Sequence, residues 1–369
     1  MSLTLSGLLG PDPFKLGLFC YNVEGGVALT TVPERWQARW EDMVSAVRIA
    51  EQYGLDFALP VARWRGYGED NRRGQCFETM TQAAALASLT RRITLFATVH
   101  VPLIHPIVAA KCMTTVDHAS QGRAALNIVA GWNQEEFDMF GHSQADHADR
   151  YAQAREWSEL FGRLTAGGAP FDHDGRFYQG RGMTAAPGLV QARMPILNAA
   201  FSPVGRAFAV EVSDFLFTFV TSPEQIRRDA DFIAAQSAEQ GRRIGLLTTS
   251  YVVCRPTRQA AHDYHQHYAG TMADTVLLER TLASKTAQAP HHFTEGPADG
   301  AAERLRLHYA GGNGSHPVIG SPEDVAEQLI ALREAGVDGT TLSFVNFTDE
   351  LPFFCETVLP LLRKAGLRV

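Results

Sequence analysis

Short apolar runs alternate with longer amphipathic stretches eight times along this 369-residue sequence. The apolar runs predict β-strands, and the amphipathic stretches have the apolar spacing that is typical of helices. The predicted strands are 15–21, 56–60, 92–98, 124–130, 195–199, 214–220, 244–254 and 340–345. The predicted helices are 35–53, 77–89, 106–120, 149–164, 205–212, 223–240, 258–270, 321–336 and 349–366.

This alternation favours an α/β fold of the (β/α)8 TIM-barrel class, because apolar parallel strands must be covered on both faces. A doubly wound sheet is the alternative, but that fold requires a glycine-rich G-x-G-x-x-G turn after its first strand. Gly25 and Gly26 follow the first predicted strand without that pattern. We therefore predict a single barrel domain over residues 1–369, interrupted by an excursion or small hairpin at 171–180.

The composition excludes several classes of protein. The chain is 45% hydrophobic and 20% charged, which is ordinary for a globular protein with a sizeable core. Its formal charge of −7 argues against a nucleic-acid surface, and no basic block indicates a membrane patch. Five scattered cysteines fit a reducing compartment. Because neither a signal peptide nor an apolar run of about 20 residues is recognisable, we expect a cytoplasmic protein.

One region departs from the regular alternation. Residues 271–319 are rich in alanine, glycine, proline and histidine and contain no clear strand. An insertion of this length between the seventh and eighth strands is either disordered or a functional lid. We predict a mobile insertion at this position.

Barrel enzymes place their sites at the carboxyl ends of the strands. In this sequence those ends carry short polar side chains, among them Thr98, Asn127 and Ser202, and few ionisable groups. No catalytic triad, carboxylate pair or metal cluster lies along them, so no metal is expected. Such a site suits a bound cofactor that carries the difficult chemistry.

Five ordered segments resemble the bacterial-luciferase-like flavin monooxygenases, in the branch with pyrimidine, dimethylsulfone and alkanesulfonate monooxygenases. The segments are "AEQYGLDFALPVARWRGYG" (50–68), "AAKCMTTVDHASQGRAALNIVAGW" (109–132), "DHADRYAQAREW" (146–157), "AFSPVGRAFAVEVSD" (200–214) and "VIGSPEDVAEQLIALREAGVDGTTLSF" (318–344). Together they cover nearly the whole chain.

The resemblance implies an FMN site. The positions that match cofactor contacts are Ala62, Arg63, Asn127, Glu136, Arg150, Tyr151 and Ser202. Thr98 matches a position lining the pocket in which oxygen reacts, and it forms the predicted catalytic set with Asn127 and His100. The branch usually has Ile-Lys where Ala62-Arg63 stand here, which leaves the substrate open.

Elementary chemistry agrees with these roles. Arg150 and Ser202 suit a dianionic phosphate, and Ser202 precedes a predicted helix whose free N–H groups favour an anion. Each residue also has a simpler interpretation. Asn127 can be a hydrogen-bonded core residue, Glu136 a surface residue, and Arg150 an ion-pair partner of a nearby aspartate.

His100 can transfer a proton, because histidine titrates closest to neutral pH. A substrate pocket is predicted from residues near the strand ends and in the insertion. These are Asn22, Trp64, Trp132, Arg304 and Arg306. The neighbouring residues His262, Asp263, His265 and His267 are interpreted as a solvated helix face.

The resemblance implies a two-component enzyme. A separate NAD(P)H-dependent flavin reductase supplies reduced FMN, and O2 is the co-substrate that oxygenates a small heteroatom-containing molecule such as a sulfone, a sulfonate or a pyrimidine. The family also implies a homodimer. The alternatives are a deazaflavin-dependent oxidoreductase on the same barrel and a non-catalytic flavin-binding protein.

Overall fold

Eight parallel strands close into a barrel, which confirms the predicted fold. The computed structural model describes residues 7–131, 133–142, 146–200, 202–220, 223–288 and 300–369. The barrel strands are β1 Lys15–Phe19, β2 Phe57–Leu59, β3 Thr94–His100, β4 Ala124–Val129, β7 Ile196–Ala199, β8 Phe215–Thr218, β9 Gly245–Cys254 and β11 Gly339–Ser343. They are paired in this order, and β11 pairs with β1 to close the ring.

Helices lie between these strands. They are α1 Trp40–Gln52, α2 Thr79–Leu89, α3 Pro106–Ser120, α4 Gln134–Met139, α5 His147–Thr165, α6 Pro203–Val212, α7 Pro223–Gln240, α8 Arg258–His265, α9 Thr275–Gln288, α10 Ala301–Gly312, α11 Pro322–Glu334, α12 Phe347–Thr357 and α13 Leu359–Lys364. Across the described residues, none of the helices has both the length and the apolar character that crossing a bilayer requires.

Several predicted elements have different bounds, and three of them are informative. The helix expected over 35–53 begins at Trp40, because Ala38 has a left-handed backbone that no helix contains. The helix expected over 349–366 is two helices, α12 and α13, and Pro360 in the first turn of the second has no N–H to continue the first. The excursion at 171–180 is an antiparallel hairpin of β5 Phe171–Asp174 and β6 Gln179–Met183.

The expectation that residues 271–319 contain no strand is wrong. Besides α9 and α10, this insertion ends in β10 His316–Gly320, which pairs in parallel with residues 250–254 of β9. Residues 250–251 of β9 pair at the same time with β11, so β10 and β11 lie on opposite edges of β9. Residues 247–248 of β9 pair with both β8 and β11, so β8 also lies on the edge opposite to β11. β8 and β10 therefore share one edge of β9, with β8 along its first residues and β10 along its last.

Aromatic rings fill the middle of the barrel. The ring centroids of Phe19 and Phe217 lie 5.6 Å apart, and those of Phe57 and Phe96 lie 5.7 Å apart. Gly17 leaves the space for Phe57, because a Cβ at this glycine would lie 2.4 Å from that ring. The interior is therefore closed below the carboxyl ends of the strands.

The amino-terminal end of the barrel is closed by the two ends of the chain. Arg368 donates to the Asp56 carboxylate and, at 3.0 Å, to the Phe14 carbonyl oxygen. Asp56 also accepts the Leu16 N–H at 2.8 Å and lies 3.8 Å from the Lys15 ammonium. The side chains of Lys15, Asp56 and Arg368 are buried, so among the described residues they fill this end of the barrel.

Candidate active site

The inward-facing side chains of β3 and β4 form the polar floor of the open end. Thr98 and Asn127 are paired in the strand register, and the Asn127 Nδ2 donates to the Thr98 Oγ1 at 3.2 Å. The Thr98 hydroxyl in turn donates to the Pro60 carbonyl oxygen at 2.6 Å. Thr98 and Asn127 therefore have fixed orientations before any ligand binds.

The amide oxygen of Asn127 has no partner within the described residues. The side chain is only 7% exposed, yet its Oδ1 accepts no hydrogen bond from those residues. A buried acceptor of this kind costs about 1–3 kcal/mol when it is left unpaired. The oxygen is free to accept an N–H from a heterocycle such as the isoalloxazine ring of a flavin. This feature fits the predicted cofactor.

His100 and Glu136 form a buried pair at the mouth of the barrel. The His100 Nδ1 lies 3.3 Å from a Glu136 carboxylate oxygen, and the other oxygen accepts the Trp64 backbone N–H at 2.9 Å. The two side chains are 5% and 4% exposed. Burial lowers the pKa of His100 to about 4, and burial also raises the pKa of Glu136. His100 is therefore neutral, and its Nδ1 lies beside the carboxylate of Glu136, which is a buried residue.

The amino terminus of α6 has the features of a phosphate site. Ser202 caps this helix, and its hydroxyl accepts the Gly205 N–H at 3.1 Å. A Cβ at Gly205 would lie 2.3 Å from the Tyr151 hydroxyl oxygen, so the glycine allows Tyr151 to reach the first turn. The structure thus brings two predicted residues, Tyr151 and Ser202, to the positive end of one helix.

Arg150 lies beside this site, on the first turn of α5. Its guanidinium donates to the Gly131 carbonyl oxygen just past β4, and its buried Nε has no partner among the described residues. Among the described residues, Arg150 forms no ion pair with Asp146 or Asp149. A charged donor with an unused N–H fits the predicted contact with phosphate.

Arg63 occupies the loop after β2, next to Ala62. Its guanidinium forms no ion pair with a described carboxylate of this loop. It donates to the Tyr67 hydroxyl at 3.1 Å and lies 4.8 Å from the Tyr67 ring centroid. Arg73 lies behind it, with its own donors on the Glu24 and Gly26 carbonyl oxygens. The loop therefore presents positive charge at the mouth.

The five predicted pocket residues have different placements. The amide of the fully buried Asn22 bonds to the backbone of Val61 and Phe77, so it ties two loops together. Trp64 packs edge-on against Phe140 with the ring centroids 5.1 Å apart.

The remaining predicted pocket residues lie further along the chain. Arg304 lies on the first turn of α10, and Arg306 on the same helix pairs with Glu279 of α9. Trp132 lies outside the described residues. The predicted roles of all five residues in substrate binding remain predictions.

Sequence reasoning missed three contributors to this region. The role of Gly205 had a signal, because a glycine in the first turn of a helix often marks a close approach. Tyr67 and Arg73 had none, since the pairing of Tyr67 with Arg72 places them through a non-repetitive loop. One further expectation needs correction: His265 is not on a solvated face, because it is 7% exposed and bonds the Tyr251 hydroxyl at 3.1 Å.

Known proteins resemble this chain along nearly its whole length. The profile of the family described as "Luciferase-like monooxygenase" matches residues 14–339. An FMNH(2)-dependent dimethylsulfone monooxygenase from Pseudomonas putida is 30% identical over 360 residues, covering 96% of each chain. The pyrimidine monooxygenase RutA from Methylobacterium radiotolerans is 31% identical over 324 residues, covering 85% of this chain and 83% of that protein.

A solved structure gives the same result for the fold. The EDTA monooxygenase EmoA from Chelativorans sp. BNC1 superposes with a TM-score of 0.85 and 20% identity, covering 97% of this chain and 95% of that chain. At this identity the likeness concerns the fold alone. The relatives by sequence are of the kinds that the five ordered segments predict.

Proposed function

The chain belongs to the luciferase-like monooxygenase family, and on this premise we propose that it is a two-component FMN-dependent monooxygenase. It uses reduced FMN and O2 to oxygenate a small heteroatom-containing molecule such as a sulfone, a sulfonate or a pyrimidine. An NAD(P)H-dependent flavin reductase supplies the reduced cofactor. The observation that carries this proposal is the buried, unpartnered Oδ1 of Asn127 at the polar floor of the barrel.

Different residues around that floor bind the ring and the phosphate of the cofactor. Asn127 meets the polar edge of the ring, with Thr98 beside it and with Ala62 and Arg63 on the opposite loop. The amino terminus of α6 holds the phosphate, with Ser202, Tyr151 and Arg150 around it. Reduced FMN supplies the electrons that activate O2, while the protein orients it and excludes water.

His100 and Glu136 hold a proton at the mouth. With Nδ1–H donated to Glu136, the other ring nitrogen of His100 is the one that accepts a proton. The low pKa of His100, caused by burial, keeps that nitrogen unprotonated at neutral pH. With a pKa of about 4, His100 is a weak base, so its proposed role is to accept a proton only transiently, with Glu136 beside it.

An anaerobic titration with reduced FMN, followed by rapid mixing with O2, tests the proposal. We expect reduced FMN to bind more tightly than reduced deazaflavin, and the bound form to be oxidised more slowly than free reduced FMN. Oxidation at the rate of free flavin would contradict the proposal, and a preference for reduced deazaflavin would favour the oxidoreductase on the same barrel. Flavin binding without turnover on sulfones, sulfonates, pyrimidines and halogenated aromatics would favour a non-catalytic protein.

The variant Asn127→Leu tests the residue that carries the proposal. Loss of one buried hydrogen bond is expected to weaken binding of reduced FMN roughly 10-fold. Asn198→Leu is the matched control, because Asn198 on the neighbouring β7 is also buried and its Oδ1 also has no partner among the described residues. Its side chain does not face the barrel interior, since Leu197 and Ala199 on either side of it do. Equal effects of the two variants would argue that Asn127 is a structural core residue.

We also propose a homodimer, a cytoplasmic location, and a mobile role for the insertion 271–319 over the mouth. Sedimentation of the purified protein tests the first. Protection of the insertion from proteolysis on addition of FMN tests the last, and unchanged cleavage would contradict it.

A further inference from the structure

Arg63 carries a positive charge that forms no ion pair with any of the described residues. No carboxylate of those residues lies within the 4.0 Å of an ion pair from its guanidinium. Of its donors, one nitrogen bonds the Tyr67 hydroxyl at 3.1 Å and another makes a long contact of 3.5 Å with the Arg73 carbonyl oxygen. A partly buried guanidinium normally has a carboxylate or phosphate partner.

Glu136 is the neighbouring group whose negative charge acts on Arg63, and it does so from beyond ion-pair distance. Burial raises the pKa of the Cys20 thiol to about 12 and that of the Cys76 thiol to about 11, so both are neutral at pH 7. Arg73 adds a second positive charge, although burial and then the charge of Arg63 lower its pKa to about 10. Glu136 is committed to His100 and to the Trp64 N–H. Two guanidiniums therefore lie close together, and the nearby charges of Glu136 and Glu24 act on them without forming an ion pair with either.

This positive loop is separate from the proposed phosphate site. Arg63 follows β2, whereas the amino terminus of α6 follows β7, and β3 and β4 lie between them in the barrel. The polar floor of Thr98 and Asn127 belongs to those two intervening strands. A molecule bound over the floor can thus have one end at each positive site.

We propose that Arg63 is a second anion subsite, which binds an oxyanion group of the substrate, a sulfonate or carboxylate, with the charge of Arg73 behind it. The inference rests on the proposed function but assigns Arg63 to the substrate instead of the cofactor, and it places this substrate group across the mouth from the cofactor phosphate. The planar guanidinium matches two oxygens of such a group by paired hydrogen bonds. The anionic ring edge of reduced FMN could bind Arg63 through the same charge. The experiment therefore distinguishes a substrate oxyanion from the flavin ring.

Methanesulfonate and dimethyl sulfone are suitable probes, because they have nearly the same shape and differ in charge. Binding of each is measured by calorimetry, with and without FMN, on the full-length protein. We expect the wild-type protein to prefer methanesulfonate at least 10-fold. Arg63→Gln is expected to weaken methanesulfonate binding roughly 10- to 100-fold and to leave dimethyl sulfone unchanged.

Arg65→Gln is the matched control, since Arg65 lies two residues further on and has its own partner in Glu135, 3.8 Å away. It is expected to change methanesulfonate binding less than twofold. Arg63→Lys keeps the charge, so it is expected to retain a preference for methanesulfonate even if Arg63→Gln folds poorly.

Three results would overturn the inference. They are equal binding of the two probes by the wild type, an equal loss in Arg63→Gln and Arg65→Gln, and a loss in Arg63→Gln confined to reduced FMN. The last result would assign Arg63 to the flavin ring. Because the probes are also measured without flavin, absence of FMN binding would refute the proposed function while the anion preference is still determined.

Discussion

At the scale of a single residue, the carboxylate of Glu136 makes two separate contacts. One oxygen accepts the Trp64 N–H and fixes the loop after β2, while the other lies against the Nδ1 of His100. The amide Glu136→Gln can still accept from Trp64, but it then presents its NH2 group to His100. The two roles are therefore separable by substitution.

We expect Glu136→Ala to lower the free energy of unfolding by about 1–3 kcal/mol, because the buried Trp64 N–H loses its acceptor. Glu136→Gln is expected to cost less than about 1 kcal/mol but to change the pH dependence with which bound reduced FMN is oxidised, since His100 must change tautomer. Urea unfolding and rapid-mixing kinetics between pH 4 and 8 measure the two effects, because the pKa of His100 is about 4. A wild-type pH profile for Glu136→Gln would show that the pair handles no proton.

Single residues also mark the limit of sequence reasoning. Glu136 was predicted as a contact of the cofactor, but the sequence did not indicate that His100 and Trp64 meet it, because they arrive from β3 and from the loop after β2. Arg73 was missed for the same reason. A side chain placed by a non-repetitive loop leaves no periodic signal, whereas Thr98 and Asn127 follow directly from the alternation along β3 and β4.

At the scale of secondary-structure elements, the first turn of α6 depends on a missing side chain. A Cβ at Gly205 would lie 2.3 Å from the Tyr151 hydroxyl oxygen and 3.1 Å from the Ser202 Oγ. Alanine at this position favours the helix but displaces the tyrosine from the proposed phosphate site.

Gly205→Ala is therefore expected to weaken binding of reduced FMN roughly 10-fold, the order of one lost hydrogen bond to a charged group, with little effect on reduced riboflavin, which lacks the phosphate. Gly162→Ala in α5 is the control, because no heavy atom lies within 4 Å of the added Cβ. It is expected to leave flavin binding unchanged and to stabilise the protein by up to about 1 kcal/mol. Equal losses for FMN and riboflavin would mean that α6 does not hold the phosphate.

The packing of α10 on β9 depends on a neutral histidine. The His265 Nε2 lies 3.1 Å from the Tyr251 hydroxyl, and both groups face Gly311, where a Cβ would lie 2.7 Å from the histidine nitrogen. Burial, followed by the charges of His262 and His308, lowers the pKa of His265 to about 4. As pH falls below about 6.5, His265 binds a proton in the unfolded chain but stays neutral in the folded protein. The free energy of unfolding therefore decreases.

Between pH 7 and pH 5 this linkage amounts to about 2 kcal/mol, the product of 1.5 pH units and 1.36 kcal/mol. We expect wild-type protein to lose that much more unfolding free energy over this range than His265→Asn, measured by urea titration at both pH values. The buried His100 is present in both proteins and cancels in the comparison. Parallel losses in the two proteins would show that His265 is not the group responsible.

The elements themselves were largely predictable, and the exceptions have physical causes. All eight barrel strands overlap the strands predicted from the alternation of apolar and amphipathic segments. The strand β10 was missed because proline, glycine and histidine surround it and it owes its conformation to the free edge of β9. The break between α12 and α13 depends on Pro360, a signal that the amphipathic pattern concealed.

At the scale of the whole molecule, one buried ion cluster joins the two ends of the chain. Asp56 receives hydrogen bonds from Leu16 and Arg368, and Arg368 also donates to the carbonyl oxygen of Phe14. The first strand, the second strand and the carboxyl terminus are therefore linked through one carboxylate.

Arg368→Met is expected to lower the free energy of unfolding by about 3–5 kcal/mol, because Asp56 remains buried without its main partner. The double variant Arg368→Met with Asp56→Asn should be less destabilised than Arg368→Met alone. Arg363→Met, at an exposed position on α13, serves as the control and should change stability by less than about 0.5 kcal/mol. A double variant that is no more stable than the single one would argue against a buried, uncompensated charge.

The pairing of β10 with β9 restricts how this barrel can be shortened or recombined. β9 is ten residues long, more than twice the length of the β8 strand that covers the first part of its edge. A chimera that exchanges the insertion for a short connection would remove β10. The N–H and C=O groups on that edge of residues 250–254 would then lose their hydrogen-bond partners. Such an edge invites pairing between molecules and aggregation. The boundary for any exchange of this segment therefore lies before His316, and a cut at Gly320 is expected to reduce solubility by exposing the edge of β9.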